Sequence, residues 1–204
     1  MAIILRDYQK AASDKAVAFF KDKNKKSNGV MVLPTGAGKS IVIADIAHRL
    51  NDYVLIFCPS REIVEQNFKK LCSYGILDCS IYSASFNSKE ISRITFATIG
   101  SVKNHPELFT HFKNIIVDEC HLVNPKEGMY KDFFDAVKCK VLGLTATPYR
   151  LSSSRDFGSM LKFITRTKPH VFSEVIYHVQ VSTLLDMGLL GEVGLLFNES
   201  FRVE

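Results

Sequence analysis

The sequence predicts an α/β fold, a parallel sheet with helices on both faces. Three observations carry this expectation. Short, wholly apolar runs such as Val54-Leu55-Ile56-Phe57-Cys58 alternate with longer segments whose apolar residues recur every three or four positions. Strands without polar alternation are buried on both sides, which is the state of strands in helix-covered parallel sheets. Turn formers and helix starters, Pro34-Thr35-Gly36 and Pro59-Ser60 among them, stand where the apolar runs end.

The elements follow in order. From Asp7 to Phe20, Tyr8, Ala12, Ala16 and Phe19/Phe20 fall at helical spacing. Lys21 to Ser27 is a lysine-rich connection, and Gly29 to Leu33 a short strand. A turn leads into a helix with Ile43, Ile46, Ala47 and Leu50 on one face. Tyr53 to Cys58 is the next strand, and a helix starts at Pro59-Ser60 and runs to about Cys72. Further strands fit Ser80–Ser83, Ile94–Thr98, Ile115–Asp118 and Val141–Thr145, with a helix carrying Tyr130, Phe133, Phe134 and Val137 between the last two. After Thr147 the pattern changes. Residues 149–168 hold a serine run and the basic residues Arg150, Arg155, Lys162, Arg166 and Lys168 against one acid, Asp156. A strand from Val175 to Val181 and a short helix to Met187 follow, and Gly188, Gly191 and Gly194 break up the remainder.

Composition excludes several classes. A chain of 204 residues suits one large domain, or one domain plus a fragment of another. At 47% hydrophobic and 23% charged it is neither disordered nor fibrous. Its apolar runs fall far short of the roughly 18 residues that cross a bilayer. Met1 to Arg6 is too short for a signal-peptide core, so a cytoplasmic protein without a membrane partner is expected. The five cysteines form no Cys-x-x-Cys pair, which favours reduced thiols over a disulfide framework or zinc site. A net charge of +5 is compatible with a polyanion partner.

Two clusters carry chemistry. Pro34-Thr35-Gly36-Ala37-Gly38-Lys39-Ser40 follows a strand and opens a helix. Glycines let successive N–H groups curl around phosphate oxygens, and the helix N-terminus adds its positive end. Lys39 would reach the β- and γ-phosphates of a nucleotide, and the Ser40 hydroxyl would hold Mg²⁺. Leu33 stands where the strict pattern places its first glycine. The second cluster, Asp118-Glu119-Cys120-His121, ends an apolar strand. There Asp118 would hold Mg²⁺ and Glu119 would orient and deprotonate the attacking water. Lys39, Asp118 and Glu119 are the expected catalytic set.

With these residues in view, the sequence resembles the first RecA-like P-loop domain of the superfamily 2 DExH-box helicases and translocases. Asp118–His121 is similar to motif II and Pro34–Ser40 to motif I, in which the leading glycine is usually absent. Leu5-Arg6-Asp7-Tyr8-Gln9 resembles the Q-motif, which implies a contact of Gln9 with adenine and places Arg6 on the nucleotide side. Pro59-Ser60-Arg61-Glu62 with Gln66 resembles motif Ia, and the Thr98, Gly100 and Ser101 region resembles motif Ib; both imply nucleic-acid backbone contacts. Thr145-Ala146-Thr147-Pro148 matches motif III, which implies that Thr145 and Thr147, with His121, couple the nucleotide and strand sites.

The resemblance implies an ATP- and Mg²⁺-dependent motor domain over residues 1–165. It reads 166–204 as a run-out toward a second RecA-like domain, which in this family carries an arginine finger. The DNA-repair and restriction-type members are the nearest in pattern, which favours DNA over RNA. Arg150 and Arg155 are read as phosphate-backbone or solvated residues rather than finger substitutes, and Tyr149 and Phe157 as stacking platforms. The rival readings are a P-loop ATPase acting on proteins and a nucleic-acid-binding module without turnover.

Overall fold

Apolar strand segments can satisfy their backbone groups only by lying side by side, and here they build one sheet. The structure is a computed structural model, and it describes residues 3–154 and 158–189. Arg155, Asp156, Phe157 and residues 190–204, with Gly191 and Gly194, lie outside the described residues. In chain order the elements are α1 (Asp7–Lys21), β1 (Gly29–Val32), α2 (Lys39–Leu50), β2 (Val54–Phe57), α3 (Arg61–Ser73), β3 (Cys79–Ser83) and β4 (Ser88–Lys89). There follow β5 (Ile94–Ala97), α4 (Ile99–Val102), β6 (Asn114–Asp118), α5 (Met129–Val137) and β7 (Lys140–Thr145). The described part ends with β8 (Tyr149–Ser154), β9 (Gly158–Phe163), β10 (Glu174–His178) and α6 (Val181–Asp186).

Eight strands pair in the order β10-β1-β7-β6-β2-β5-β3-β4, parallel except for the antiparallel β3/β4 edge. Strand side chains alternate between faces, so each apolar strand feeds two cores. In β6, Ile116 packs on the side of α1, α2 and α3 with Met31, Ile43 and Ile56. Its neighbours Ile115 and Val117 point the other way, toward Phe109, Phe112 and the Phe133 of α5. The Phe57 and Phe133 rings meet edge to face at 5.3 Å, a geometry that adds to their burial. The expected α/β sheet with helices on both faces is borne out. Cys58 and Cys120 are buried thiols, and burial pushes Cys58 up to about 12.

Register brings the strand ends together. Val32 of β1 lies opposite Thr145 of β7, and Asp118 of β6 opposite Leu144. Phe57 of β2 pairs with Val117 on one side and Ala97 of β5 on the other. The segments that follow β1, β7, β6, β2 and β5 therefore emerge along one edge of the sheet from five adjacent strands, while the Leu5–Gln9 segment opens α1 instead. Ligands bind along such carboxyl edges in open α/β sheets.

Two features go beyond the sequence reading. Residues 149–163, legible only as a serine- and base-rich change of pattern, contain the antiparallel hairpin β8–β9, with Arg150 opposite Lys162 and Leu151 opposite Leu161. Leu151 and Leu161 both face solvent, so no apolar periodicity marked the strands. In addition, β10 pairs in parallel with β1, so the sheet continues past residue 165.

Where β7 passes under the turn after β6, a glycine is required by space. A Cβ on Gly143 would stand 2.5 Å from Cys120 Sγ and 2.9 Å from Phe172 Cε1. Overpacking a filled core costs about 1–3 kcal/mol. Gly143→Ala should therefore lower the melting temperature by several degrees, which a thermal melt reads directly. A variant as stable as the parent would show that the Cys120 turn gives way freely.

Candidate nucleotide site and nucleic-acid face

The loop between β1 and α2 is shaped by two left-handed glycines, Gly36 at φ 82° and Gly38 at φ 78°. At these angles any other residue is strained, and a Cβ on Gly38 would in addition stand 2.6 Å from Gln9 Nε2. Leu33 is fully buried, and its N–H donates to the Thr145 carbonyl at 3.0 Å. The residue that departs from the strict glycine pattern thus anchors the loop to β7. Pro34 and Ala37 are buried, Thr35 and Gly36 exposed, and Lys39 and Ser40 begin α2.

Beneath the loop sits α1. Gln9 is buried; its Nε2 donates to the Ala37 carbonyl at 2.9 Å, and its Oε1 accepts the Arg6 N–H at 3.0 Å. The Tyr8 hydroxyl donates to the same Ala37 carbonyl at 2.9 Å. Gln9, read from the sequence as an adenine contact, is held by the phosphate loop in this structure, and Arg6 is exposed at the N-cap of α1. Tyr8 was read only as a core position. No pattern in the sequence marked it as a second brace of the loop.

The acidic pair faces this loop. Lys39 Nζ lies 2.5 Å from Glu119 Oε1. His121 Nδ1 lies 3.3 Å from Glu119 Oε2, 2.9 Å from Thr145 Oγ1 and 3.3 Å from Thr147 Oγ1. Thr145 Oγ1 in turn accepts the Thr147 N–H at 3.0 Å. One continuous polar chain therefore runs from the loop lysine through Glu119 and His121 to Thr145 at the end of β7 and Thr147 just beyond it. Glu119 itself adopts φ 51° and ψ 49°, a left-handed conformation that a side-chain-bearing residue keeps only where its surroundings over-determine it.

Asp118 lies deeper. It is 7% exposed, and its Oδ1 accepts the Glu119 N–H at 3.0 Å. Burial lifts its carboxyl above the ordinary range; the Lys39 charge opposes that lift and the Glu119 charge adds to it. Among the described residues no group of three or more His, Cys, Asp or Glu could cage a metal by itself. The hard oxygens of Ser40 and Asp118 suit Mg²⁺, which takes one or two protein oxygens together with water and substrate phosphates. The donor set fits the ion.

The expected nucleic-acid residues occupy the neighbouring strand ends. Ser60 caps α3 by accepting the Ile63 N–H at 3.4 Å, and exposed Arg61 lays its guanidinium over the Phe86 ring at 4.4 Å. Thr98 Oγ1 and Ser101 Oγ are 3.0 Å apart at the start of α4, while Gly100 opens onto free space. Pro59 is exposed beside them, and the Cys58 N–H donates to the Ala97 carbonyl, joining the two segments. Arg150, read as a phosphate-backbone or solvated residue, is instead half-buried. It donates from Nη2 to the carbonyls of His121 and Val123.

Two sets of measurements follow from this geometry. If Lys39 takes phosphate as the loop's shape predicts, Lys39→Ala would remove a charge-assisted contact worth roughly 1.5–3 kcal/mol, and ATP affinity should fall about tenfold or more in calorimetry. Glu119→Gln removes the partner that competes with phosphate for Lys39, and should bind ATP at least as tightly as the parent. Asp118 gives a pH signature. A carboxyl raised on folding favours the folded state below its unfolded pKa of about 3.9, and that contribution is lost as pH rises through the folded value. In the absence of Mg²⁺, Asp118→Asn should therefore melt higher than the parent at neutral pH, with the gap closing in acid. A constant gap across pH would deny the burial penalty.

Comparison with known proteins agrees with this geometry. The family described as "Type III restriction enzyme, res subunit" matches residues 2–150. The chain is 35% identical over 152 residues to "DNA 3'-5' translocase XPB2" of Sulfurisphaera tokodaii, covering 72% of this chain and 32% of that protein. It is 31% identical over 156 residues to "DNA 3'-5' helicase XPB" of Mycobacterium tuberculosis, covering 72% of this chain and 27% of that one. The chain thus spans about a third or less of the length of these relatives. Among solved structures, the UvsW helicase of bacteriophage T4 superposes with a TM-score of 0.61 at 20% identity, covering 84% of this chain and 59% of that one. A nuclease-deletion mutant of the Type ISP restriction-modification enzyme LlaGI, in complex with a DNA substrate mimic, superposes at 0.66 and 18% identity, covering 91% of this chain and 21% of that one. The chain belongs to the type III restriction enzyme res-subunit family, and its fold is the first RecA-like domain that its superfamily 2 motifs resemble.

Proposed function

We propose that this chain is the ATP-binding N-terminal motor domain of a DExH-type helicase or translocase acting on DNA. The observation that carries the reading is the unbroken chain from Lys39 through Glu119 and His121 to Thr145 and Thr147. It links a phosphate-binding lysine to the segment beside the strand-contact face, as a motor needs and a passive binding module does not. DNA as the polymer, and 3'-5' as the direction, are carried over from the names of the XPB relatives. Residues 1–165 would hold the nucleotide site, and 166–204, which also add β10 to the same sheet, would lead on toward a second RecA-like domain. A cytoplasmic location accords with the fact that no described helix is long and apolar enough to cross a membrane.

The residues divide the work. The loop from Pro34 to Ser40 would receive the triphosphate on its N–H groups, and Lys39 would leave Glu119 for the β- and γ-phosphates. Glu119, released from its lysine, would then orient water toward the γ-phosphate and accept its proton. Mg²⁺, held by Ser40 and Asp118, neutralises phosphate charge when bound. Gln9 and Arg6 would lie toward the base, with Gln9 tying that end to the loop. His121, Thr145 and Thr147 would carry the change at Glu119 toward the neighbouring strand ends. Pro59, Ser60, Arg61, Thr98, Gly100 and Ser101 would grip the sugar-phosphate backbone without reading sequence. These residues would supply one wall of that groove.

Steady-state phosphate release, with and without single-stranded DNA, tests the reading. The chain alone should turn over slowly and unwind no duplex. Fusion to a second RecA-like domain carrying an arginine finger should raise turnover by about 10³–10⁵, the worth of such a finger in related systems. Arg61→Ala should lower the salt slope of DNA binding by about one. Sequence-selective, salt-independent binding would refute the backbone grip, and fast DNA-stimulated turnover by the short chain would refute the need for a second domain.

A further inference from the structure

Arg150 is the second residue of β8, three positions beyond the coupling residue Thr147, yet its side chain turns back under the acidic segment. Its Nη2 donates to the carbonyls of His121 and Val123, the residues that close the single 3-10 turn Cys120–Leu122 after Glu119. Within that turn the Leu122 N–H donates to the Glu119 carbonyl at 3.0 Å and the Val123 N–H to the Cys120 carbonyl at 3.1 Å. Neither carbonyl of His121 or Val123 is used by those two bonds, and Val123 is buried, where an unpaired carbonyl is costly. Arg150 is what serves them. A guanidinium holds its charge and its planar set of donors even when partly buried, which a lysine ammonium does not reproduce.

What the turn carries makes this contact more than packing. Glu119 stands at its start in a left-handed conformation, and His121 within it reaches Glu119, Thr145 and Thr147 at once. Both the water-orienting carboxylate and the coupling imidazole are therefore aimed by a turn whose free end is fastened from β8. Arg150 lines a narrow cleft together with Cys120, Pro125, Ile164 and Phe172.

The geometry points to Arg150 as a positioning residue for ATP hydrolysis: through the carbonyls of His121 and Val123 it holds the Glu119–His121 turn in its productive shape, and it fastens that turn to the β8–β9 hairpin. This inference rests on the hydrolase reading given above. It touches neither the loop nor Lys39, so its effect falls on turnover and not on nucleotide affinity. It also gives the hairpin a route to the site, since any load on β8 is felt first at this turn.

The test uses Arg150→Ala, Arg150→Lys and Glu119→Gln in the 204-residue chain. Phosphate release, ATP affinity, thermal melting and hydrogen exchange at the Leu122 and Val123 amides are read for each. Loss of a charge-assisted contact of this kind predicts a fall in kcat of roughly tenfold or more in Arg150→Ala, with KM for ATP within about twofold of the parent. Guanidinium ion at a concentration too low to denature should restore part of that turnover in Arg150→Ala and none in Glu119→Gln, whose turn is intact. Arg150→Lys should melt like the parent yet remain slow, because one ammonium does not reproduce the fork. Faster exchange at Leu122 and Val123 in Arg150→Ala reads the fastening itself without any turnover. Parent phosphate release that Glu119→Gln leaves unchanged would overturn the hydrolase reading, while the exchange result would still decide whether Arg150 holds the turn. Parent-like kcat in Arg150→Ala, or exchange unchanged at both amides, would overturn the positioning role.

Discussion

An ammonium and a carboxylate meet at 2.5 Å where the phosphate loop faces the end of β6, and the rest of the site is arranged around that pair. Lys39 and Glu119 are both partly shielded, at 14% and 28% side-chain exposure, so the attraction is felt more than on an open surface and less than in a dry core. The pair keeps each group from other work. Lys39 cannot lie on Glu119 and on a triphosphate at full strength, and a carboxylate oxygen turned to the ammonium is not turned to water. Under the proposed function, arrival of a nucleotide would settle both at once, with phosphate oxygens taking the lysine from the carboxylate. Binding and readiness for hydrolysis would then be one event.

That economy depends on backbone features that carry no charge. Gly36 and Gly38 allow the loop to curl, and Leu33 ties its root to Thr145 through a backbone hydrogen bond. Gly143 leaves room for Cys120 beneath the turn, and Glu119 accepts a left-handed conformation above it. A strained conformation of this kind survives because it is held from several sides. Cys120 plugs the core below, His121 reaches Thr145 and Thr147, and Arg150 clasps the carbonyls of His121 and Val123. The same edge-of-sheet register that brings five strand ends together makes these holds short-range.

Much of this was legible in the sequence, for physical reasons that can be named. Residues that must be apolar on both faces, such as Ile115 to Val117, announce their strand by composition alone. The loop from Pro34 to Ser40 and the pair Asp118-Glu119 are legible because phosphate and metal chemistry admit few residue types. The hairpin β8–β9 was not, since Leu151 and Leu161 face solvent and leave no buried stripe to detect. Contacts that run through backbone carbonyls were also hidden. Gln9 and Tyr8 on Ala37, and Arg150 on His121 and Val123, leave no sequence signal, because every residue has a carbonyl. Arg150 in particular read as a surface charge, and only the fold turns it inward.

The placement of charge along the sheet edge gives the site its direction. At the β1, β7 and β6 ends the polar groups are tied to one another, from Lys39 to Thr147, and Arg150 closes the far side of the same turn. At the β2 and β5 ends they are tied only locally: Arg61 rests on Phe86, and Thr98 on Ser101. The polar groups at the loop end thus have a connected path as far as Thr147, whereas those at the neighbouring strand ends rest on separate partners. Under the proposed function the first side would act as a latch on nucleotide and the second as a grip on the phosphate backbone. The rigid strands between them, buried on both faces, keep the two in fixed relation.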